Sequence, residues 1–235
     1  MGKIIKLYSL LFVLTSCLIA GDVSSKGDWE GYYVGVFSGI TKGKVTVHDE
    51  SGYNGKDFSY STSGAYSGIV AGYNWQRKIF VYGLEGKIGY LNYKQKQQFP
   101  DYVGVRKPED SLASFESDFS VSLLGRAGFI INKFLFYAKG GITGLNTKVS
   151  FIDDDPSGLT LTSDTSASKF LWRPTMGMGV EMAMNKKWRF FVEYMYINSN
   201  TLLSHTAISN YGTPFTFTHE IYDIRTFTAG FIYKF

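Results

Sequence analysis

From Trp29 to the C-terminus the sequence alternates, in eight separate segments, between bulky apolar residues and small or polar ones. A period of two puts successive side chains on opposite faces of a strand, so each segment has one greasy face and one mixed face. The segments cover about 29–41, 65–76, 80–93, 115–131, 134–147, 169–184, 188–197 and 222–235. The sixth is the clearest, with Met176, Met178, Val180 and Met182 interleaved with Thr175, Gly177, Gly179 and Glu181. The connections between segments fall into two classes. Three are only about three residues long, around 77–78, 132–133 and 185–187, and they alternate with polar stretches at 42–64, 94–114, 148–168 and 198–221.

That alternation of connections decides the architecture. A transmembrane β-barrel has an even number of antiparallel strands, short periplasmic turns and long external loops. A soluble sandwich has no reason to gather all its short turns at one end. The expected fold is therefore all-β: an eight-stranded antiparallel up-and-down transmembrane barrel with four long external loops. Its strands of ten to fourteen residues match a tilted crossing of the hydrocarbon layer. The competing fold is an eight-stranded soluble barrel of lipocalin type, which needs a greasy interior. Here the face opposite the apolar one carries Gly, Ser, Thr and charges, so the greasy face is assigned to lipid. An aromatic content of 17% with 26 Gly against 5 Pro suits strands and tight turns. Trp75, Phe80, Phe129, Phe134, Trp188 and Phe235 are expected to ring the periplasmic side, and Tyr90, Phe119 and Trp172 the outer rim.

The first residues read as an export leader. Lys3 and Lys6 precede an apolar run from Leu7 to Ala20, followed by small and polar residues. The domain reading is a signal peptide at 1–20, a short periplasmic segment at 21–28 and the barrel at 29–235, placed in the bacterial outer membrane. The only cysteine, Cys17, ends a Leu14-Thr15-Ser16-Cys17 run similar to a lipobox, which opens lipidation as an alternative to removal with the leader. One cysteine excludes an internal disulfide framework and a cysteine-based zinc site. The net charge of +4, two units of which come from Lys3 and Lys6, gives no basis for nucleic-acid binding.

The residues also resemble a known family, the small outer-membrane β-barrels of Gram-negative bacteria. Within it they look closest to the alphaproteobacterial surface antigens and haemin-binding porin-like proteins, related in fold to opacity proteins and the OmpA membrane domain. The matching pieces are Trp29-Glu30-Gly31-Tyr32-Tyr33-Val34-Gly35, Ala71-Gly72-Tyr73-Asn74-Trp75-Gln76, Trp188 with Glu193-Tyr194 and Tyr196, and the terminal Phe231-Ile232-Tyr233-Lys234-Phe235. The resemblance implies that Phe231, Tyr233 and Phe235 are read by the barrel-assembly machinery. Val70 departs from the family's usual polar lumen residue, which implies a drier lumen near the second strand.

Parity places six charges on the inner face: Glu85, Lys87, Arg126, Lys139, Glu181 and Glu193. Three negatives facing three positives in a narrow barrel are expected to pair across it, because buried charges persist only when paired and hydrogen-bonded. The network reads as a plug, with a gated small-ion pathway as the alternative. Catalysis is not expected: His48, His205 and His219 fall in the first and fourth loops and lack an evident nucleophile. Because the resemblance is to a family some of whose members bind haemin, it implies that these three histidines, with Tyr53, Tyr60 or Tyr211, are candidate haem ligands; otherwise no cofactor is expected. Asp153-Asp154-Asp155 could hold a divalent cation with lipopolysaccharide, or be a solvated acidic tip. The functional reading is a surface barrel that supports envelope integrity and presents loops for adhesion or host interaction. Its expected partners are outer-membrane lipid and lipopolysaccharide, the assembly machinery and a host surface ligand. The alternatives are a haemin-binding surface protein and a narrow porin-like channel.

Overall fold

The computed structural model describes residues 28–51, 57–98, 111–153, 165–199, 201–209 and 211–235. All the regular structure in them is antiparallel β. The strands are β1 (Gly31–Asp49), β2 (Phe58–Arg77), β3 (Phe80–Gln98), β4 (Ser111–Ile131), β5 (Phe134–Asp153), β6 (Thr165–Ala183), β7 (Trp188–Ile197), β8 (Thr201–Ile208) and β9 (Pro214–Lys234). Each pairs with its sequence neighbour from β1 to β7; β7 then pairs with β9, and β9 returns to β1. The ladder is thus a ring, joined along Tyr33↔Lys234 to Asp49↔Phe217. The signal-peptide region and Cys17 lie outside the described residues.

Nine strands appear where eight were expected, for a local reason. β7 runs along β9 as far as Ile197↔Ile224, and β8 resumes along the same edge from Thr201↔Ile221. The two are one wall position interrupted by an irregularity, so the ring still has eight positions. β9 carries the matching defect: Asp223 takes a φ of 38°, and the pairing with β1 slips between Lys42 and Lys44. A bulge of this kind puts an extra residue on one strand and shifts its alternation. Inward residues on β9 are accordingly Ile224, Thr226 and Thr228 below the bulge and Phe217, His219 and Ile221 above it.

The strands also overrun the predicted lengths. The stretches read as long loops are largely strand: 42–49, 58–64, 111–114, 148–153, 165–168, 201–208 and 214–221 all belong to the wall. A tilted barrel strand crosses the hydrocarbon in about 9–11 residues, whereas β2, β4, β5 and β9 have 20 or 21. The outer half of the wall therefore stands clear of the membrane. The outward side chains mark the boundary. Tyr32, Val34, Val36 and Ile40 on β1 and Phe227 and Phe231 on β9 are exposed and apolar, and beyond them Lys42, Lys44 and Arg225 are exposed and basic.

The interior is not uniformly polar, as the alternation had implied. Trp29, Val81, Leu135 and Tyr137 form an apolar layer near the short turns. Val45, Val47, Phe115, Leu145, Val149, Leu203, Phe217 and Ile221 belong to a larger apolar cluster that fills the outer half and runs down past the charges through Phe37, Val70, Phe191 and Ile232. Charges occupy the middle. Glycine makes room for the large rings: a Cβ on Gly89 would lie 2.2 Å from the Tyr66 ring, whereas one on Gly140 would meet nothing within 4 Å. Gly89→Val is expected to cost about 1–3 kcal/mol by overpacking and to lower the urea midpoint for loss of the fast-migrating unboiled gel band. Gly140→Val should leave that midpoint unchanged.

Candidate functional site

The six charges singled out by parity come from β3 to β7, and all are buried. They share one network. Lys87 Nζ lies 2.5 Å from Glu193 Oε1, and Lys139 Nζ 2.5 Å from Glu85 Oε1. Lys139 also contacts the other Glu193 oxygen. Arg126 reaches Glu181 at 2.8 Å and Glu85 at 3.6 Å. Hydroxyls complete the carboxylate shells: Tyr33 donates to Glu85 at 2.8 Å and Tyr137 to Glu193 at 3.3 Å. The Arg126 guanidinium sits 4.3 Å from the Tyr137 ring centroid, and Lys87 Nζ 4.5 Å from that of Phe37. Desolvated charges survive only when opposite charge and hydrogen bonds replace water, and each member here has both.

A seventh charge belongs to the set. Arg189 is buried, lies 3.5 Å from Glu181 and packs 4.3 Å from the Trp29 ring. It also donates to the Asp28 carbonyl at 2.7 Å, tying residues 28–29 into the mouth beside the short turns. Its parity matches that of Glu193 four residues on, a signal the sequence reading passed over. Lys234, likewise inward, binds the Asp28 carboxylate. With Arg189 the balance is three carboxylates to four cations.

The three histidines do not converge. None is in a loop: His48 is on β1, His205 on β8 and His219 on β9. His48 faces out of the barrel, 2.7 Å from Asp57 and 3.2 Å from Glu220. The Asp57 hydrogen bond raises its pKa, burial opposes this and Glu220 adds to it. His205 and His219 point inward and stack at 5.1 Å between centroids. No ring nitrogen of either has a partner among the described residues. Burial lowers His205 to about 4, and burial together with its neighbour lowers His219 to about 3. Tyr60 joins the apolar cluster around them, while Tyr211 is exposed. Tyr53, Asp154 and Asp155 lie outside the described residues. At the other end of the wall Phe231, Tyr233 and Phe235 alternate along the outward face of β9, with Tyr233 and Phe235 edge-to-face at 5.3 Å.

Comparison with known proteins gives this geometry a family. The profile described as "Outer membrane protein beta-barrel domain" matches residues 10–235. The chain belongs to that family. A 22 kDa outer membrane protein of Rhizobium leguminosarum bv. viciae is 32% identical over 176 residues, 74% of this chain and 66% of the relative. The 25 kDa outer-membrane immunogenic protein of Brucella melitensis biotype 1 is 27% identical over 217 residues, 91% of this chain and 83% of the relative. Among solved structures, the Escherichia coli outer membrane protease OmpT superposes with a TM-score of 0.51 at 10% identity, covering 91% of this chain and 99% of that one; this likeness shows the fold alone. The chain is thus an outer-membrane barrel of the Brucella and Rhizobium type, and the relatives' names describe membrane and immunogenic proteins.

Two outcomes follow for this barrel. Glu193→Gln leaves Lys87 and Lys139 short of a carboxylate in the interior and should lower stability by about 3–5 kcal/mol, read as the urea midpoint of the folded gel band. For the inner histidines the unfolded chain takes up protons near pH 6.5, whereas the folded one does so only near 4 and 3. Stability is full above pH 6.5 and falls as acid is added down to the folded values. His205→Phe with His219→Leu should remove about 2 kcal/mol per histidine of the loss between pH 7 and 4.5, measured by urea titration at each pH.

Proposed function

We propose that this protein is a sealed surface barrel whose lumen is a structural plug and whose work is done by the wall and loops outside the membrane. The observation that carries this reading is the occupied interior: a paired charge set packed among buried apolar side chains. Eight strands enclose room for side chains and little else. The polar outer wall, by contrast, offers a β-sheet platform well beyond the apolar belt. On this reading the barrel supports envelope integrity and presents that platform for adhesion or host contact, and no side chain acts as a catalyst. The name of the Brucella relatives, outer-membrane immunogenic protein, agrees with display at the surface. The outward terminal aromatics serve as the segment read by the assembly machinery.

In planar bilayers the wild-type protein is expected to show no steady conductance. A conductance that shifts with Glu85→Gln or Arg126→Gln would overturn the sealed reading and make the network an ion pathway.

One observation supports a second reading, haemin binding. His205 and His219 offer four unpartnered ring nitrogens in an apolar setting near the outer mouth, the chemistry that imidazole ligation of haem iron requires. Haemin titration of the detergent-solubilised protein should then give a Soret band that His205→Ala and His219→Ala each diminish and His48→Ala leaves intact; an unchanged band in both would remove this reading.

A further inference from the structure

The outward face of the β1–β9 junction changes from apolar to basic within two residues. Below the boundary it carries Ile40 and Phe227. Above it Lys42 stands opposite Arg225, and Lys44 opposite Tyr222. On the β2 side the same lysines face Ser63 and Ser61. These residues, with Gly43, Thr46 and Asp223, line an outward groove of about 700 Å³. The bulge at Asp223 helps form it by letting both Tyr222 and Asp223 lean away from the lumen.

The charge in the groove is not neutralised from within. Lys42 and Lys44 make no ion pair or side-chain hydrogen bond among the described residues. Arg225 has Asp223 at 3.7 Å, but that carboxylate is also engaged by the Tyr196 hydroxyl. The next carboxylates outward, Glu220 and Asp57, are held by His48. At a similar height on β4 and β5 the wall is mixed, with Asp118 accepting from Asn146 at 2.9 Å. Lys42, Lys44 and Arg225 therefore leave a net positive charge at the β1–β9 junction, at the height where hydrocarbon gives way to lipid headgroups. Ammonium and guanidinium groups that project there meet phosphate oxygens, for which charge-assisted hydrogen bonds are strong, and the hydroxyls of Thr46, Ser61 and Ser63 supply further donors.

We propose that Lys42, Lys44 and Arg225 form a binding site for the phosphate of a phosphorylated anionic lipid in the outer leaflet, with its acyl chains lying against Ile40, Phe227 and their apolar neighbours. The site adds a defined lipid contact to the barrel and does not depend on whether the lumen conducts. A free phosphate ion shares the headgroup's chemistry but not the chains; the position of the groove on the edge of the apolar belt selects the lipid.

Native mass spectrometry of the purified full barrel in detergent, with phosphatidic acid, phosphatidylcholine or inorganic phosphate added, tests this. One phosphatidic acid per barrel should be retained, phosphatidylcholine should not, and equimolar inorganic phosphate should not displace it. Lys42→Gln with Lys44→Gln and Arg225→Gln should weaken retention about tenfold or more, while Lys148→Gln with Lys186→Gln leaves it unchanged. Both variants should keep the heat-modifiable gel shift; if the triple variant loses it, Lys44→Gln alone should still weaken retention several-fold. Equal retention by wild type and variant, or displacement by inorganic phosphate, would overturn the proposal.

Discussion

In hydrocarbon there is no water to satisfy a backbone N–H or C=O, and each unpaired group costs several kcal/mol. The β1–β9 ladder meets this constraint by removing the last free edge of the sheet. Closure is needed only where lipid surrounds the wall, and the structure relaxes it outside. The β6–β7 ladder ends at Thr175↔Ile197, next to Pro174, which has no N–H to donate. Its carbonyl takes the Asn198 amide at 3.0 Å. Beyond that point no ladder joins β6 to β8 among the described residues, and solvent is there to hydrate the edge. The slips at Lys42/Lys44, Tyr90/Tyr93 and Ser117/Ser120 gather at the same outer boundary, where a broken ladder costs least.

Closure with eight positions creates the second constraint, a lumen too narrow to hold bulk water and too wide to leave empty. Side chains must fill it. Large rings do so only where the neighbouring strand offers a glycine, as Gly89 does for Tyr66. Charges do so only as an interlocked set of opposite contacts, which is why Lys139 lies between Glu85 and Glu193 and Arg126 between Glu85 and Glu181. Some neutral polar groups go unpaired among the described residues, among them Asn74, Thr228 and the histidine pair. His205 and His219 occupy an apolar layer without hydrogen-bond partners, a cost tolerated because neutral imidazole is far cheaper to bury than a charge.

Much of this was legible in the chain. Alternation reports which face a side chain takes, and short turns report which strands are antiparallel neighbours, so the apolar belt, the ring order and the inward direction of Glu85, Lys87, Arg126, Lys139, Glu181 and Glu193 followed from parity alone. The outer wall was not legible, because above the belt the alternation reverses its sense. There Val45, Val47, Phe217 and Ile221 turn inward and Lys44, Thr46 and Glu220 face out, so without a greasy outer face 42–49 or 58–64 look like loop. On β9 the bulge at Tyr222–Asp223 shifts the phase, so the strand appeared to begin at Tyr222 when it begins at Pro214.

Residue type at fixed spacing carries the local, periodic part: fold class, the lipid-facing side of each strand and the family. The tertiary structure decided which distant residues meet. The joining of β1 to β9 set Lys42 beside Arg225 and turned His48 to the outside while His219 went in. The β8–β9 hairpin brought His205 to His219. The β1–β9 contacts span most of the chain, and register across a closed ring depends on bulges and packing that no local period encodes.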